Sequence, residues 1–359
     1  EIDEMTRPPF SNIFTVREID MKDKLNKPAP KTTNSRRDFI QKACMLIGGG
    51  AVGASIGQAV AMTSSAAKGH ANPVDYSTLK YNDNNWNRDA FARIRGDLDF
   101  DKQKFGWYKG TVKGVRPGKK IDDLFGFEGF SFARLQDNGD GTYNKLLREV
   151  GYYTDLKTGE VMDEYYNPYL DEVVKVVHIA NDPFNHVVTA FRPQPPSYGG
   201  LNDKDRPPKV PLILPWTEVG NNKVLMQSSI NLFYPSALQP EKWPRESAGK
   251  MNQVSEMFNY VLDKEDLADP AITGLEFSGS WTRITPWLPW MLMGQADGHI
   301  SYNCMMGCYN NTDMMSPKIR AYAEKHHPTY FNAPTKWEDP SWSSLEHYAV
   351  EQTPAPVKK

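Results

Sequence analysis

The chain has 359 residues, with 42 Lys and Arg against 44 Asp and Glu, for a formal net charge of -2. No basic excess points to nucleic acid, and no long acidic run suggests a charged tail. Aromatics make up 12% of residues, and 9 Trp and 27 Pro favour strands and ordered loops over a helical bundle, in a chain long enough to bury a sizeable core.

Residues Glu1 to Asn34 are polar and aperiodic and read as a disordered extension. Ser35-Arg36-Arg37-Asp38-Phe39-Ile40 then precedes a mildly apolar run from Ala43 to Ala61. Paired arginines before such a run read as a twin-arginine export signal, with Ala59-Val60-Ala61 as the cleavage site. The implied partner is the twin-arginine export machinery, engaged through Arg36 and Arg37. The implied location is periplasmic or extracellular after cleavage near Ala61. A membrane anchor is the competing reading, but Gly48, Gly49, Gly50, Gly53 and Gly57 make the run a weak span. No other segment approaches a transmembrane length, so no stable span is expected in the mature form.

Residues 62–80 read as a linker to one antiparallel β domain over 81–345, followed by a disordered tail over 346–359. Asn84 to Arg95 is expected to be a short helix and Trp107 to Val112 a first strand. Tyr143 to Thr154 faces Glu160 to Asn167 across Asp155-Leu156-Lys157-Thr158-Gly159, a polar turn ending in Gly, which is the form of a hairpin. Val173 to Ala180 is a further strand, ended by Asn181-Asp182-Pro183. Phe191 to Pro215, with Pro193, Pro195, Pro196, Pro207, Pro208 and Pro211, cannot donate regularly to a ladder and reads as a long crossing loop. Lys223 to Tyr234 resumes strand character. Arg245 to Leu267 places Met251, Val254, Met257, Phe258 and Val261 at helical spacing, which predicts a helix. Leu275 to Trp290 and Gly298 to Met306 are closing strands, and the prolines after His327 imply an irregular wrap with His326 and His327 on the surface. The fold class is therefore mainly β, a large antiparallel sheet, closed or nearly closed like a barrel, with one or two peripheral helices.

Period-2 parity nominates the site. Leu146, Arg148, Val150 and Tyr152 share a face, as do Val174, Val176, His178 and Ala180; Glu128 falls with Phe130 and Phe132. Ionisable groups on an apolar sheet face mark a buried polar network or a ligand pocket, and both readings stand. Arg283 falls with Phe277 and Trp281, ahead of Trp287 and Trp290 at a proline-broken corner. Arg stacked on indole is a common structural contact and also a way of holding a flat or anionic ligand.

The sequence has no phosphate-cradling GxxxxGK loop, no HExxH zinc helix and no GxSxG elbow. Cys304-Met-Met-Gly-Cys308 lacks redox or zinc spacing and reads as two small thiols or a local disulfide, with soft-metal binding a weaker alternative. His178 and His186 have no recognised ligand spacing, so no metal is assigned and the cofactor is unknown.

Phe127-Glu128-Gly129, Arg148-Glu149, Tyr153-Thr154-Asp155, Thr158-Gly159-Glu160, Asn167-Pro168, His178-Ile179-Ala180-Asn181-Asp182-Pro183, Trp281, Arg283, Trp287-Leu288-Pro289-Trp290-Met291 and Met293-Gly294-Gln295 resemble domain-of-unknown-function family eighteen thirty-eight. The resemblance runs over roughly Tyr81 to Trp342, and a twin-arginine signal is similar to what many bacterial members carry. One departure is Tyr169-Leu170-Asp171, where a Thr-Gly type turn is expected. The resemblance implies boundaries and no reaction.

Two functions fit these residues. One is a cofactor-independent enzyme of isomerase, cyclase or hydrolase type, acting on a small apolar or aromatic molecule in a β cavity. There His178 serves as general acid or base, Asp182 or Glu128 orients it, Arg148 or Arg283 steadies negative charge, and Trp281, Trp287, Trp290, Tyr152 and Phe130 line the ligand. The other is a noncatalytic barrel that binds and carries such a ligand.

Overall fold

The computed structural model describes residues 74–192, 208–339 and 341–357. The expected signal, with Arg36, Arg37 and Ala61, and much of the expected crossing loop lie outside the described residues.

The first helix forms where its caps place it. Asp83 accepts the Trp86 N–H at 2.7 Å, and α1 (Asn84–Arg95) ends at Gly96. From α1, buried Arg93 donates to the carbonyls of Asp266, Leu267, Asp269 and Ile272, at or just after the end of the short helix α2 (Lys264–Ala268). One guanidinium thus satisfies carbonyls that a helix terminus leaves without partners, and it docks α1 against the second half of the chain.

The strands are β1 (Lys104–Val115), β2 (Asp122–Asp137), β3 (Tyr143–Thr154), β4 (Glu164–Asn167), β5 (Glu172–Lys175), β6 (Ile179–Asn181), β7 (His186–Val188), β8 (Trp216–Val219), β9 (Lys223–Pro235), β10 (Met251–Asp263), β11 (Phe277–Thr285) and β12 (His299–Tyr309). Ten of them form one antiparallel sheet in the order β6-β3-β2-β1-β12-β11-β10-β9-β8, with β7 also on β3. Two meanders, β1 to β3 and β8 to β12, therefore meet along the β1–β12 pair, where Tyr108 faces Met306 and Val112 faces Tyr302. The sheet is large and curved. Among the described residues its end strands β6 and β8 do not pair with each other, so the expected barrel is not closed by hydrogen bonds.

The concave face of this sheet is largely apolar, and so is the outer face over β1 to β3. The concave face carries Val112, Phe125, Phe127, Tyr153, Tyr260, Trp281 and Tyr302. The outer face carries Phe105, Trp107, Phe130, Phe132, Val150 and Tyr152, packed beneath α3 (Pro317–His326) and the 3-10 turn Pro328–Phe331 through Ile319, Ala323 and Tyr330. Two glycines shape the concave face. Gly129 and Gly151 are cross-strand partners; a Cβ on the first would lie 2.2 Å from the Tyr108 ring and on the second 2.5 Å from the Phe127 ring. Their absence lets those two rings, stacked at 5.6 Å, lie flat on the sheet.

Several expectations are corrected. Met251 to Val261 is strand β10, hydrogen-bonded on both edges to β9 and β11, not a helix. Val254 and Phe258 are four apart, but they are also both even-numbered, and the intervening Glu256 faces inward with them while Met251 and Val261 are exposed. The turn at Asp155 to Gly159 forms, with Gly159 at φ 68°, yet it closes only a Thr154–Val161 bridge before Glu164–Asn167 turns away to pair with β5. The expected strand Val173 to Ala180 is broken into β5 and β6 around Val176 to His178. The departure at Tyr169-Leu170-Asp171 closes the β4–β5 hairpin with Asp171 left-handed at φ 51°. The helices among the described residues are four rather than one or two, and α4 (Ser344–Glu351), with a capping box between Ser343 and Glu346, occupies what was expected to be a disordered tail. Cys304 and Cys308 are buried free thiols.

Candidate functional site

The residues nominated by parity divide between the two faces. Glu128, Phe130, Arg148 and Tyr152 lie on the outer face. Glu128, 2% exposed, accepts from Trp107 Nε1 at 3.2 Å and from Ser316 N and Oγ at 2.8 Å each, and pairs with Lys109 at 2.9 Å. Arg148 pairs with Asp182 at 2.9 Å and donates to the carbonyls of Thr329 and Asn332. Tyr152 shares a hydrogen bond with His327 Nδ1 at 2.9 Å, which makes His327 a half-buried partner rather than a surface residue. Phe130 packs against Phe105, Phe132 and Phe331. These groups are satisfied within the fold and line neither cavity described below, so the expectation that Glu128, Arg148, His178 and Arg283 share one cavity is not met.

His178 stands in the break between β5 and β6. Its Nδ1 accepts the Tyr153 N–H at 3.2 Å, and its ring packs on Tyr152, Tyr153 and Tyr322. Burial pulls its pKa down to about 4, outweighing the opposing charge of Asp163. With Tyr153, Arg283, Trp287, Trp290 and Tyr302 it lines a cavity of ≈ 80 Å³. Trp287 is fixed by donating to the Ala296 carbonyl at 3.0 Å.

A larger cavity of ≈ 360 Å³ opens on the concave face and shares Arg283 with the smaller one. Tyr108, Phe127, Phe258, Tyr260, Phe277 and Trp281 form its aromatic walls. Trp281 is 9% exposed and its indole N–H has no partner among the described residues. The charged groups come from α1 and from alternate positions of four strands: Arg95, Lys104, Lys145, Glu149, Glu256 and Arg283, joined by His186 of β7. Arg283 pairs with Glu256 at 3.5 Å, and Arg95 donates to the Tyr260 hydroxyl at 3.2 Å. Asn181 donates to Glu149 at 3.3 Å.

Lys145 differs from the others. It is 5% exposed, and among the described residues no carboxylate lies within ion-pair distance of its ammonium, the charge of Glu149 acting only from further off. Burial, and then the neighbouring Arg95, bring its pKa down to about 7. His186, its register partner across β3 and β7, is lowered to about 3 by burial and by the charges of Lys145 and Arg95. Glu149 is pushed the other way, its carboxyl raised by burial and by Glu256. An amine and a carboxyl on one strand face, shifted toward each other in pKa, are suited to acid–base work on a molecule bound between them, and the cationic side chains around them suit an anionic group. Among the described residues no group of three or more His, Cys, Asp or Glu could hold a metal ion.

Sequence reasoning named Arg283, Trp281, Trp287, Trp290 and His178 among cavity-lining residues and missed Arg95, Lys145, Glu149 and His186. The signal for Lys145 and Glu149 was the parity opposite to that of Arg148 on the same strand.

None of the curated proteins matches the chain. The family model described as "Protein of unknown function (DUF1838)" matches residues 101–351, from just ahead of β1 to the last residue of α4. With both meanders and nearly all of the two cavity walls inside that match, the chain belongs to this family of unknown function.

Proposed function

We propose that the protein is a cofactor-independent enzyme of the isomerase or cyclase type, acting on a small aromatic or apolar molecule that carries an acidic group, held in the concave-face cavity. One observation carries this reading: the amine of Lys145, which has no ion pair among the described residues, and the raised carboxyl of Glu149 share the strand face that looks into an aromatic-walled cavity. Such a pair offers an amine close to its free-base form and a carboxyl pushed toward its acid form, and the arginines offer charge that ordinary apolar packing does not need. The aromatic walls alone suit a carrier, so turnover is the property to measure.

Anilinonaphthalene sulfonate, an aromatic anion, is expected to bind saturably at one site, and Ser131→Phe, which fills the cavity, is expected to abolish binding. Phenylpyruvate is then the probe of chemistry: the protein should accelerate exchange of its α-protons with deuterated water, followed by NMR, and Lys145→Met should remove that acceleration. Binding without exchange returns the molecule to the carrier reading, and absence of binding ends both.

The pair Arg36-Arg37 supports delivery to the periplasm or beyond by the twin-arginine route. Replacing both with Lys should block appearance of the mature form; unchanged export would overturn that assignment.

A further inference from the structure

Lys145 is the group in the cavity whose burial is hardest to account for by packing. A lysine ammonium taken out of water with no carboxylate in contact costs several kcal/mol or gives up its proton, and a Leu or Met at this position of β3 would fill the same space at no such cost. The residue lies between two further basic groups, Arg95 from α1 and His186 from β7. Its nearest acidic neighbour along the strand face is Glu149, beyond Leu147. Desolvation and an adjacent cation are the two conditions that turn a lysine into a nucleophile, and the cavity beside it has room for a molecule of a few rings or chains.

We propose that Lys145 is an imine-forming lysine, whose amine adds to the carbonyl carbon of an aromatic or apolar oxo acid while Arg95 takes the acid group. This rests on the cavity reading above and names its substrate class. The Nζ lone pair forms the new C–N bond as the carbonyl π pair moves to oxygen, and the carboxyl of Glu149 supplies the proton that makes the hydroxyl of the carbinolamine. Nitrogen then loses its proton, the hydroxyl leaves as water after taking one, and the C=N bond closes. One carbonyl compound and one amine give one imine and one water, with no oxidant or reductant. The protonated imine draws electrons from the adjacent carbon, so that an α-proton passes to a base with far less cost than in the free ketone. That is the step an isomerase or cyclase of this kind needs.

The test uses the whole chain and 4-formylbenzoate, an aromatic aldehyde that carries an acid and has no α-proton. With cyanoborohydride present at pH 7, a reduced adduct should form on Lys145, located by peptide mapping. A lysine near its pKa is about half free amine, whereas an exposed lysine is roughly 0.1% free amine or less at that pH, so labelling of Lys145 should outpace Lys102 and Lys157 by about 100-fold or more. Lys145→Met should lose this adduct while unfolding in urea at or above the wild-type midpoint, which shows that the fold remains. Labelling spread evenly over exposed lysines, with the dye bound, overturns the imine and leaves the cavity reading standing. Failure of the dye to bind the wild-type chain overturns both.

Discussion

Glu128 of β2 accepts both hydrogens that Ser316 offers, the backbone N–H at Oε1 and the hydroxyl at Oε2, each at 2.8 Å. Ser316 is the N-cap of α3, and Pro317 follows it as the first helical residue. The carboxylate therefore sits at the positive end of the helix that covers the outer face, where it supplies a cap the Ser316 side chain does not itself make.

That geometry makes Glu128 structural. Glu128→Ala should cost about 3 kcal/mol of stability, because it strands Trp107 Nε1 and the N-terminus of α3 at a buried site, while the half-exposed Lys109 ammonium returns to water. Binding of anilinonaphthalene sulfonate on the opposite face should be unchanged. Urea unfolding and a dye titration of the same variant decide it; intact stability with lost binding would return Glu128 to the site.

Arg148 is expected to behave alike. Arg148→Met removes the pair with Asp182 and the hydrogen bonds to the Thr329 and Asn332 carbonyls, which hold the turn after α3 to the sheet. A loss of about 2 kcal/mol should follow, with protease cleavage after His326 rising well before the sheet itself unfolds. Cleavage at the wild-type rate would show that other contacts hold this turn.

The strands were legible because β1, β3, β9 and β12 each combine aromatic or β-branched residues with clear turn signals. What could not be read was which face of each strand looks into the cavity. Parity assumes one apolar and one wet face, but α3 and the turn Pro328–Phe331 cover the outside of β1 to β3, so Val150 and Tyr152 are as buried as Phe127 and Tyr153. With both faces apolar, Arg148 and Glu128 look inward by pattern while lying under a helix. Lys145 and Glu149, mixed with Leu147 and Gly151, look like a solvent face while lining the cavity. The β10 segment was lost to a different coincidence, since positions four apart satisfy both a helix turn and a strand face.

Acid should destabilise the fold through two histidines. Both His178 and His186 have folded pKa values, about 4 and about 3, below the ordinary value near 6.5. Between those limits the unfolded chain binds protons that the folded chain does not, so stability falls as pH drops from about 6.5 toward 4 and 3 and is unaffected by these groups above that range. The loss at full extent is about 3 kcal/mol for His178 and about 5 kcal/mol for His186. Urea midpoints at pH 7 and pH 4.5 should differ less in His178→Gln and His186→Gln than in wild type. Equal differences in all three chains would assign the acid sensitivity to carboxylates instead.

Arg283 should sort ligands by charge. It lines both cavities, its only ion pair among the described residues is the 3.5 Å contact with Glu256, and its Nε has no partner there. A guanidinium held this loosely retains donors for an incoming anion, and a charge-assisted hydrogen bond contributes about 1.5–3 kcal/mol, or roughly 10- to 100-fold in affinity. Anilinonaphthalene sulfonate and the neutral N-phenylnaphthylamine share an aromatic body and differ in the sulfonate. Arg283→Met should weaken the first by at least about 10-fold and leave the second within about twofold, since the aromatic walls remain. Glu256→Gln, which frees the guanidinium, should tighten the sulfonate and not the neutral dye. Arg283→Lys should recover only part of the loss, because a point charge lacks the planar fork. If both dyes weaken together in Arg283→Met, the residue props the cavity open; if neither does, Arg95 takes the acid group without help from Arg283, and the charge selectivity assigned to Arg283 fails.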